Sequence, residues 1–424
     1  MKGIKSETGE FLRDILMHPD LTDIQMLTEQ FMSEMERGLR GEASSLKMIP
    51  TYISADGAPP DDVPVIAIDA GGTNLRIALV VFLNGVPVIS RVEKYEMPGS
   101  RTEVSSDEFF DELAEKILPF TEKSEIIGFC FSYPAEIFPN RDGKILCLTK
   151  EVCVTNAEGL VIGYELLKKL HDKGAEKNFK FTLLNDTAAS LMGGVAVKKH
   201  DGCDGLAGLI LGTGNNTCYV EKGEKILKLN GAQDMIINCE SGNFSKALRG
   251  VSDEMTDESS ENPGEYLFEK MLSGVYHGKV ITNTAVLASR KGLLSKGFEE
   301  IDPPFTTPEL DDFLRGKNNR VLQMCSGNDP EVLREIIDLS FERAAKLVCA
   351  NVAALCLHCG AGKNSKHPFC VFAEGSAFYN SLLFSEKLQK YVKSYIEDRL
   401  SRFVIFKRAE NLTLTGAALS ALLN

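Results

Sequence analysis

Between Asp69 and Arg76 the chain sets a carboxylate, the pair Gly71-Gly72, the hydroxyl of Thr73, the amide of Asn74 and a guanidinium directly behind the apolar run Val65 to Ile68. Glycine lets backbone N–H groups approach an anion closely, because no Cβ stands in the way. Thr73 adds a hydroxyl donor. A carboxylate beside such a turn repels phosphate unless a cation lies between them. Asp69 therefore reads as a ligand, direct or through water, of a Mg²⁺ carried by a nucleotide. A second turn, Gly212-Thr213-Gly214, follows the apolar stretch "LIL" in the same manner. One such turn alone is equally well a plain hairpin. Two matched turns, each on an apolar strand, favour a phosphate grip. The Walker pattern GxxxxGK[ST] does not occur, so this is not a P-loop protein.

A third constellation ends the apolar run "FTLL" with Asn185-Asp186-Thr187. Asp186 or Thr187 as a helix cap would explain one of these residues. The sharper reading is a carboxylate that accepts a proton from a substrate hydroxyl, with the amide of Asn185 orienting that substrate. Further polar residues sit at strand ends or inside apolar runs: Ser132 in "CFSYP", Thr149 and Lys150 in "LCLTKEV", Asn216 in "GTGNNT", and Asn238 with Glu240 in "IINCESGNF". Singly they read as caps and turns. Together they supply the amides, hydroxyls and carboxylates that recognise a polyhydroxylated ligand.

The elements that must position these residues alternate. Helical spacing runs over 8–40 with a break at Pro19. Strands are predicted at 64–70, 74–83 and 86–95, the last two joined by an Asn84-Gly85 turn. Helices at 106–120 and 160–174 precede the strands "EIIGFCFSY" and "FKFTLLND". A helix from 187 leads to the strand–turn–strand "GLAGLILGTGNNTCYVE". A long helix at 330–360, the strand "PFCVFAEGS", a helix near 383–399 and a final strand, loop and short helix complete the chain. "KGEKILK" and "TDESSENPGE" read as surface loops. The alternation predicts an α/β protein, and the paired strand–turn–strand units predict two similar halves facing across a cleft.

At 424 residues the chain is long enough for two lobes with sizeable cores. A net charge of −13 argues against a nucleic-acid or acidic-membrane footprint. The 11 cysteines read as small buried hydrophobes of a reducing compartment, and "CLHC" at Cys356–Cys359 lacks the second pair that a closed zinc site needs. No apolar run approaches membrane-spanning length, so a cytoplasmic location is expected.

These motifs resemble the hexokinase family in its eukaryotic type, which includes glucokinase. "LKMIPTYI" is similar to LKMLPTYV, "IDAGGTNLRI" to DLGGTNFRV, "GFCFSYP" to GFTFSFP, and "LTKEV" to WTKGF. "LLNDTAASLM" is similar to VNDTVGTMM, "LILGTGNNTCYVE" to LIVGTGTNACYME, and "IINCESGNF" to INCEYGSF. "NPGEYLFEKMLSGVYHGKV" is similar to NPGQQRYEKMISGMYLGE. The likeness runs nearly end to end and in family order.

The resemblance implies a two-lobed actin/hexokinase-like (ribonuclease H-like) fold with a central cleft. The small lobe is expected at 62–185 plus 411–424 and the large lobe at 1–61 plus 186–410. It implies ATP and Mg²⁺ as cofactors, a hexose and a nucleotide as small-molecule partners, and neither nucleic acid nor membrane. Asp186 would be the general base and Lys150 would lie near the transferring phosphate. Ser132, Thr149, Asn185, Asn216, Asn238 and Glu240 would hold the hexose. Asp69, as the metal-positioning residue, Gly71, Gly72, Thr73, Asn74, Arg76, Gly212, Thr213, Gly214, Gly375, Ser376 and Gly416 would form the nucleotide side.

The resemblance also has departures. A second sugar carboxylate is expected at Lys279 and is absent there, which implies weak glucose binding or a preference for a sugar that differs near its anomeric end, unless the lysine faces outward or the local match slips. Leu148 replaces a tryptophan. "LTLTGAAL" replaces GSGKGAAL on the nucleotide side. The implied activity is ATP-dependent phosphorylation of a hexose 6-hydroxyl, with a sugar sensor of little or no catalysis as the alternative. A DNA-binding repressor is disfavoured by the acidic balance.

Overall fold

The computed structural model describes residues 2–148, 152–197 and 202–424. Its first main sheet has five strands in the spatial order Lys180–Leu184, Ile126–Phe131, Val65–Gly71, Asn74–Leu83, Val86–Glu96. The Val65–Gly71 strand lies at the centre and is buried on both faces up to Ala70, which explains its unbroken apolar run. It pairs parallel with Ile126–Phe131 and antiparallel with Asn74–Leu83, a register that sets Asp69 opposite Arg76. Asn84 and Gly85 turn the next hairpin with φ of 52° and 69°, the left-handed pair that a tight two-residue loop requires.

The second sheet has six strands, in the order Ile49–Pro50, Met235–Asn238, Asn215–Glu221, Gly205–Leu211, Phe369–Glu374, Val404–Lys407. Here too a central strand, Gly205–Leu211, is antiparallel to its hairpin partner and parallel to its other neighbour. The repeat read from the two glycine turns is therefore a repeat of topology.

Two helices, Asp186–Ala196 and Leu412–Leu423, pack together in a core that takes side chains from both sheets, including Ala67, Val80, Cys370 and Phe372. Their contact is backbone to backbone. A Cβ on Gly193 would sit 2.1 Å from the Leu412 carbonyl oxygen, and one on Gly416 would sit 1.9 Å from that of Ala189. The rest of the second half is built around the 31-residue helix Asp329–Cys359, with helix Ile24–Arg40 against it. Ile24–Arg40 starts at the Asp23 cap and ends at left-handed Gly41.

Several boundaries differ from expectation. The helical stretch expected over 8–40 begins earlier, at Lys2, and breaks at Pro19 as expected, giving the helices Lys2–Asp14 and Ile24–Arg40 on either side of a 3₁₀ turn at Pro19–Leu21. The helix near 383–399 runs regularly only over Phe384–Tyr391 and widens to a π turn at Val392–Glu397. "TDESSENPGE" is not a plain surface loop. Asp257 within it is buried and accepts from Lys270 Nζ at 2.6 Å, Arg249 at 3.1 Å and Gly264 N at 3.1 Å. In "CLHC", His358 Nε2 bonds Glu221 at 2.5 Å and Cys356 Sγ lies 3.4 Å from the Ala361 carbonyl oxygen. Among the described residues no cluster of His, Cys, Asp or Glu is arranged to hold a metal, and no helix is long and apolar enough to cross a membrane.

Candidate active site

Asp69 ends the central strand with its carboxylate buried and engaged. Its Oδ2 accepts from Arg76 Nε at 3.0 Å, from Arg76 Nη2, and from Thr413 Oγ1 at 2.9 Å. The cation that the sequence argument required beside Asp69 is thus supplied by the chain itself. Oδ2 is committed to Arg76 and Thr413, so a nucleotide-borne metal would have to approach from Oδ1. Gly72 next in the turn has φ of 54°. A Cβ on Gly71 would lie 3.0 Å from Ser132 Oγ, which places Ser132 directly beside this turn. Thr73 and Asn74 are exposed at its tip.

The second turn is assembled from three segments. Gly274 N donates to Gly212 O at 2.7 Å, Gly212 N to Gly214 O at 3.0 Å, and Val275 N to Thr213 O at 3.5 Å. Gly375, with φ of 114°, lies so close that a Cβ would sit 2.1 Å from the Leu211 carbonyl oxygen. The Ser376–Tyr379 helix follows at once. The predicted grouping of Gly212, Thr213, Gly214, Gly375 and Ser376 is therefore one local structure, with the Thr213 side chain exposed at its tip. Gly416 is placed differently from expectation. It sits inside the Leu412–Leu423 helix, against Ala189, where its missing Cβ serves helix packing.

Asn185 is the N-cap of the Asp186–Ala196 helix, its Oδ1 accepting from Thr187 N at 2.9 Å. Asn185 takes the cap position that the sequence offered to Asp186 or Thr187, and the Asp186 carboxylate shares its donor. Asp186 Oδ1 accepts from Thr187 N at 2.7 Å and Thr187 Oγ1 at 3.1 Å. Burial pushes its pKa up from 3.8 to about 7, and the charges of Asp69 and Glu240 add to the rise against those two hydrogen bonds.

The amides form a relay. Asn216 Nδ2 donates to Asn238 Oδ1 at 2.8 Å, and Asn238 Nδ2 donates to Glu240 Oε1 at 2.8 Å. Glu240 holds left-handed backbone at φ 55°, and burial raises its pKa against the Asn238 bond and the Lys47 charge. Asn185, Asn238 and Glu240 line a cleft of about 500 Å³ together with Lys47, Ile49 and Tyr133. Thr149 and Lys150 lie outside the described residues.

Glu269 was not anticipated. It sits in "LFEKM" on the Leu267–Leu272 helix, and its Oε2 accepts from Asn215 N at 2.8 Å. A Cβ on Gly214 would lie 2.6 Å from that oxygen, so this glycine makes room for the carboxylate. Burial pushes the Glu269 pKa up to about 7, opposed by the Asn215 bond and reinforced by the charges of Glu240 and Asp186. Asp69 and Glu240 thus act electrostatically on Asp186, and Glu240 and Asp186 on Glu269.

Lys279, where the second carboxylate was expected, lies on the next helix, His277–Arg290, with its ammonium 5.2 Å from the centre of the Tyr276 ring. Glu269, on the preceding helix, is the acid that lies beside the second glycine turn. Its available signal was the acid two residues after Leu267 in the same quoted motif. Glu374 was also missed. It accepts from Ser190 Oγ at 2.7 Å, and burial raises its pKa with help from the Asp69 charge.

Known proteins agree with this architecture. Two family models, both described as hexokinase, match residues 11–196 and 206–423. Human hexokinase-3 is 30% identical over 80% of this chain, and mouse hexokinase-3 is 32% identical over 65% of it. The chain spans 39% and 31% of the length of those two relatives. Rice (Oryza sativa subsp. japonica) hexokinase-1 is 29% identical over 92% of this chain and 85% of its own. A Schistosoma mansoni hexokinase structure in complex with glucose superposes with a TM-score of 0.80 at 24% identity, covering 99% of both chains. A second hexokinase crystal structure gives 0.82 at 21% identity, covering all of both chains. The two-lobed α/β fold is theirs, and with both family models accounting for most of its length, this chain belongs to the hexokinase family.

Proposed function

We propose that the protein transfers the γ-phosphoryl group of ATP to the 6-hydroxyl of glucose or a related hexose. The observation that carries this reading is Asp186. It is a buried carboxylate whose pKa burial raises to about 7, with the charge of Asp69, next to the first glycine turn, and that of Glu240, in the amide–carboxylate relay, adding to the rise. A base poised near neutrality is ionised often enough to act and basic enough to take an alcohol proton as the bond to phosphorus forms.

The remaining roles follow from donor chemistry. Asn185, Asn216, Asn238, Glu240 and Glu269 orient the hexose, joined by Ser132 and by Thr149. Thr73, Thr213 and the amides of both glycine turns bind the phosphates. Arg76 and Lys150 stabilise charge on the group in transfer, since phosphoryl transfer depends on positioning and electrostatics more than on covalent help. Mg²⁺ accompanying the nucleotide would neutralise phosphate charge and would be held through Asp69 Oδ1. We assign 62–185 with 411–424 to a small lobe and 1–61 with 186–410 to a large one, whose closure excludes water as a competing acceptor.

An ADP-release assay over a panel of hexoses tests the reading. Asp186→Ala is expected to abolish phosphorylation, a loss of about 10²–10⁴-fold or more, while hexose binding stays measurable. A folded Asp186→Ala protein with near-normal turnover would overturn it. A sugar sensor is the second reading. It is favoured by the Thr413 and Arg76 bonds that occupy Asp69 Oδ2 where the family carries a glycine-rich loop. Hexose binding without ADP release from any sugar would establish it.

A further inference from the structure

Lys228 lies in "KGEKILK", a stretch whose sequence suggests only a solvated loop. Its side chain turns inward instead. The ammonium donates to the backbone carbonyl of Lys47 at 3.0 Å and to that of Met48. Among the described residues no carboxylate is paired with it, and burial pushes its pKa down from 10.5 to about 8. The charged residues on the elements packed around it are engaged elsewhere. Arg37 pairs with Glu34 at 3.2 Å, Arg40 lies 3.7 Å from Glu36, and Lys225 donates to the His358 carbonyl at 3.0 Å.

The segment it grips is unusual. Met48 is fully buried with φ of 48°, a left-handed conformation costly for a residue with a long side chain. Such a conformation persists only where its surroundings fix it. Upstream, Glu34 fixes the same loop by accepting from Ser45 N at 2.6 Å and Ser45 Oγ at 2.8 Å. Downstream, Ile49 pairs with Asn238 in the sheet, and Lys47 and Ile49 line the cleft beside Glu240. The Lys47 charge also lowers the Glu240 pKa. Lys228 therefore grips the backbone of the cleft wall that adjoins the amide–carboxylate relay at Asn238.

We infer that Lys228 is a positioning residue for hexose binding: by holding the Lys47 and Met48 carbonyls it sets the wall of the cleft against Asn238 and Glu240. The inference rests on the hexose-kinase reading above. Lys228 is not among the residues that line the cleft, so its loss acts on sugar affinity through the wall.

The test compares wild type with Lys228→Met and Lys228→Arg, using calorimetric titration with glucose, ADP release and thermal unfolding. Lys228→Met is expected to weaken glucose binding, and to raise the KM for glucose, about tenfold, the scale of a lost charge-assisted hydrogen bond. The KM for MgATP should stay within about twofold and kcat should fall far less than the glucose affinity. Lys228→Arg, which keeps charged donors, should recover most of the affinity. A lysine of merely structural use would lower the unfolding temperature and leave the glucose Kd unmoved, and that result overturns the inference. If Lys228→Met does not fold, Lys228→Gln, whose amide keeps N–H donors, should give an intermediate Kd; a wild-type Kd in that variant and in Lys228→Arg alike counts against the inference. Wild-type protein that binds no hexose sinks the function reading and this inference together. Wild type that binds while the variants match it sinks the inference alone.

Discussion

Burial holds the Asp186 and Glu269 carboxyls near pH 7, and the charge of each group in the cleft raises its neighbours. If Asp186 is the base proposed above, activity depends on its ionised form and kcat/KM is expected to rise with pH through about 7. Because the cleft carboxylates interact, that limb reports the coupled set and not one residue. A flat profile between pH 5.5 and 8, roughly the window spanned by these shifts, would contradict the role of Asp186. The same shifts set a stability trend. Glu269 has a folded-state pKa above its ordinary 4.5, so the native state binds the extra proton between the two values. Stability on its account is full below the unfolded value and is lost as pH rises through about 7. Glu269→Gln should therefore raise the unfolding temperature relative to wild type at pH 8, by a margin that shrinks at pH 5, while weakening hexose binding. Lys279, in contrast, stands over Tyr276 and outside the relay, so Lys279→Glu should leave the glucose Kd unchanged in calorimetry.

Among the elements, the helix Leu412–Leu423 has two separate duties. At its start, Thr413 Oγ1 donates to Asp69 and accepts from Arg76 Nη2 at 2.9 Å, which fixes the guanidinium beside the first glycine turn. Thr413→Val removes both bonds at nearly constant volume. We expect a several-fold rise in the KM for MgATP with the glucose Kd intact; an unchanged nucleotide KM would show that Arg76 needs no such support. In its middle, Gly416 permits contact with Asp186–Ala196. Gly416→Ala forces a Cβ to within 1.9 Å of a backbone oxygen, which no rotamer relieves. Chemical denaturation should report a loss of at least about 1–3 kcal/mol. Stability equal to wild type would mean that the two helices separate without cost.

Across the whole molecule, the cleft lies where the two sheets come together, with Asp69 on a strand of one and Asn216 and Asn238 on strands of the other. The groups proposed above to bind phosphate and sugar are thus divided between the two halves of the fold, each of which carries one of the glycine turns. Hexose binding is expected to draw them together, and small-angle scattering should show a smaller radius of gyration with glucose than without. An identical radius in both states would argue against lobe closure.

The sequence by itself determined the strands, the turns and most of the polar inventory, because those depend on neighbours in the chain. Alternation and apolar runs mark strands, and glycine with asparagine marks left-handed turns such as Asn84-Gly85. Motif order was enough to reach the family. What it could not determine was which side chains share a space, since that depends on how separate segments pack. The engagement of Asp69 by Thr413 joins residues 344 positions apart. The capping of the Asp186–Ala196 helix by Asn185, and not by its neighbours, depended on backbone angles at the strand exit. Glu269 and Lys279 lie in one quoted motif, yet only the path from the Leu267–Leu272 helix into the next one turns the glutamate toward Gly214 and leaves the lysine over a tyrosine ring. Gly416 read as part of a nucleotide loop because a glycine in a string carries no direction, and only the close approach of Ala189 shows what its missing Cβ is for.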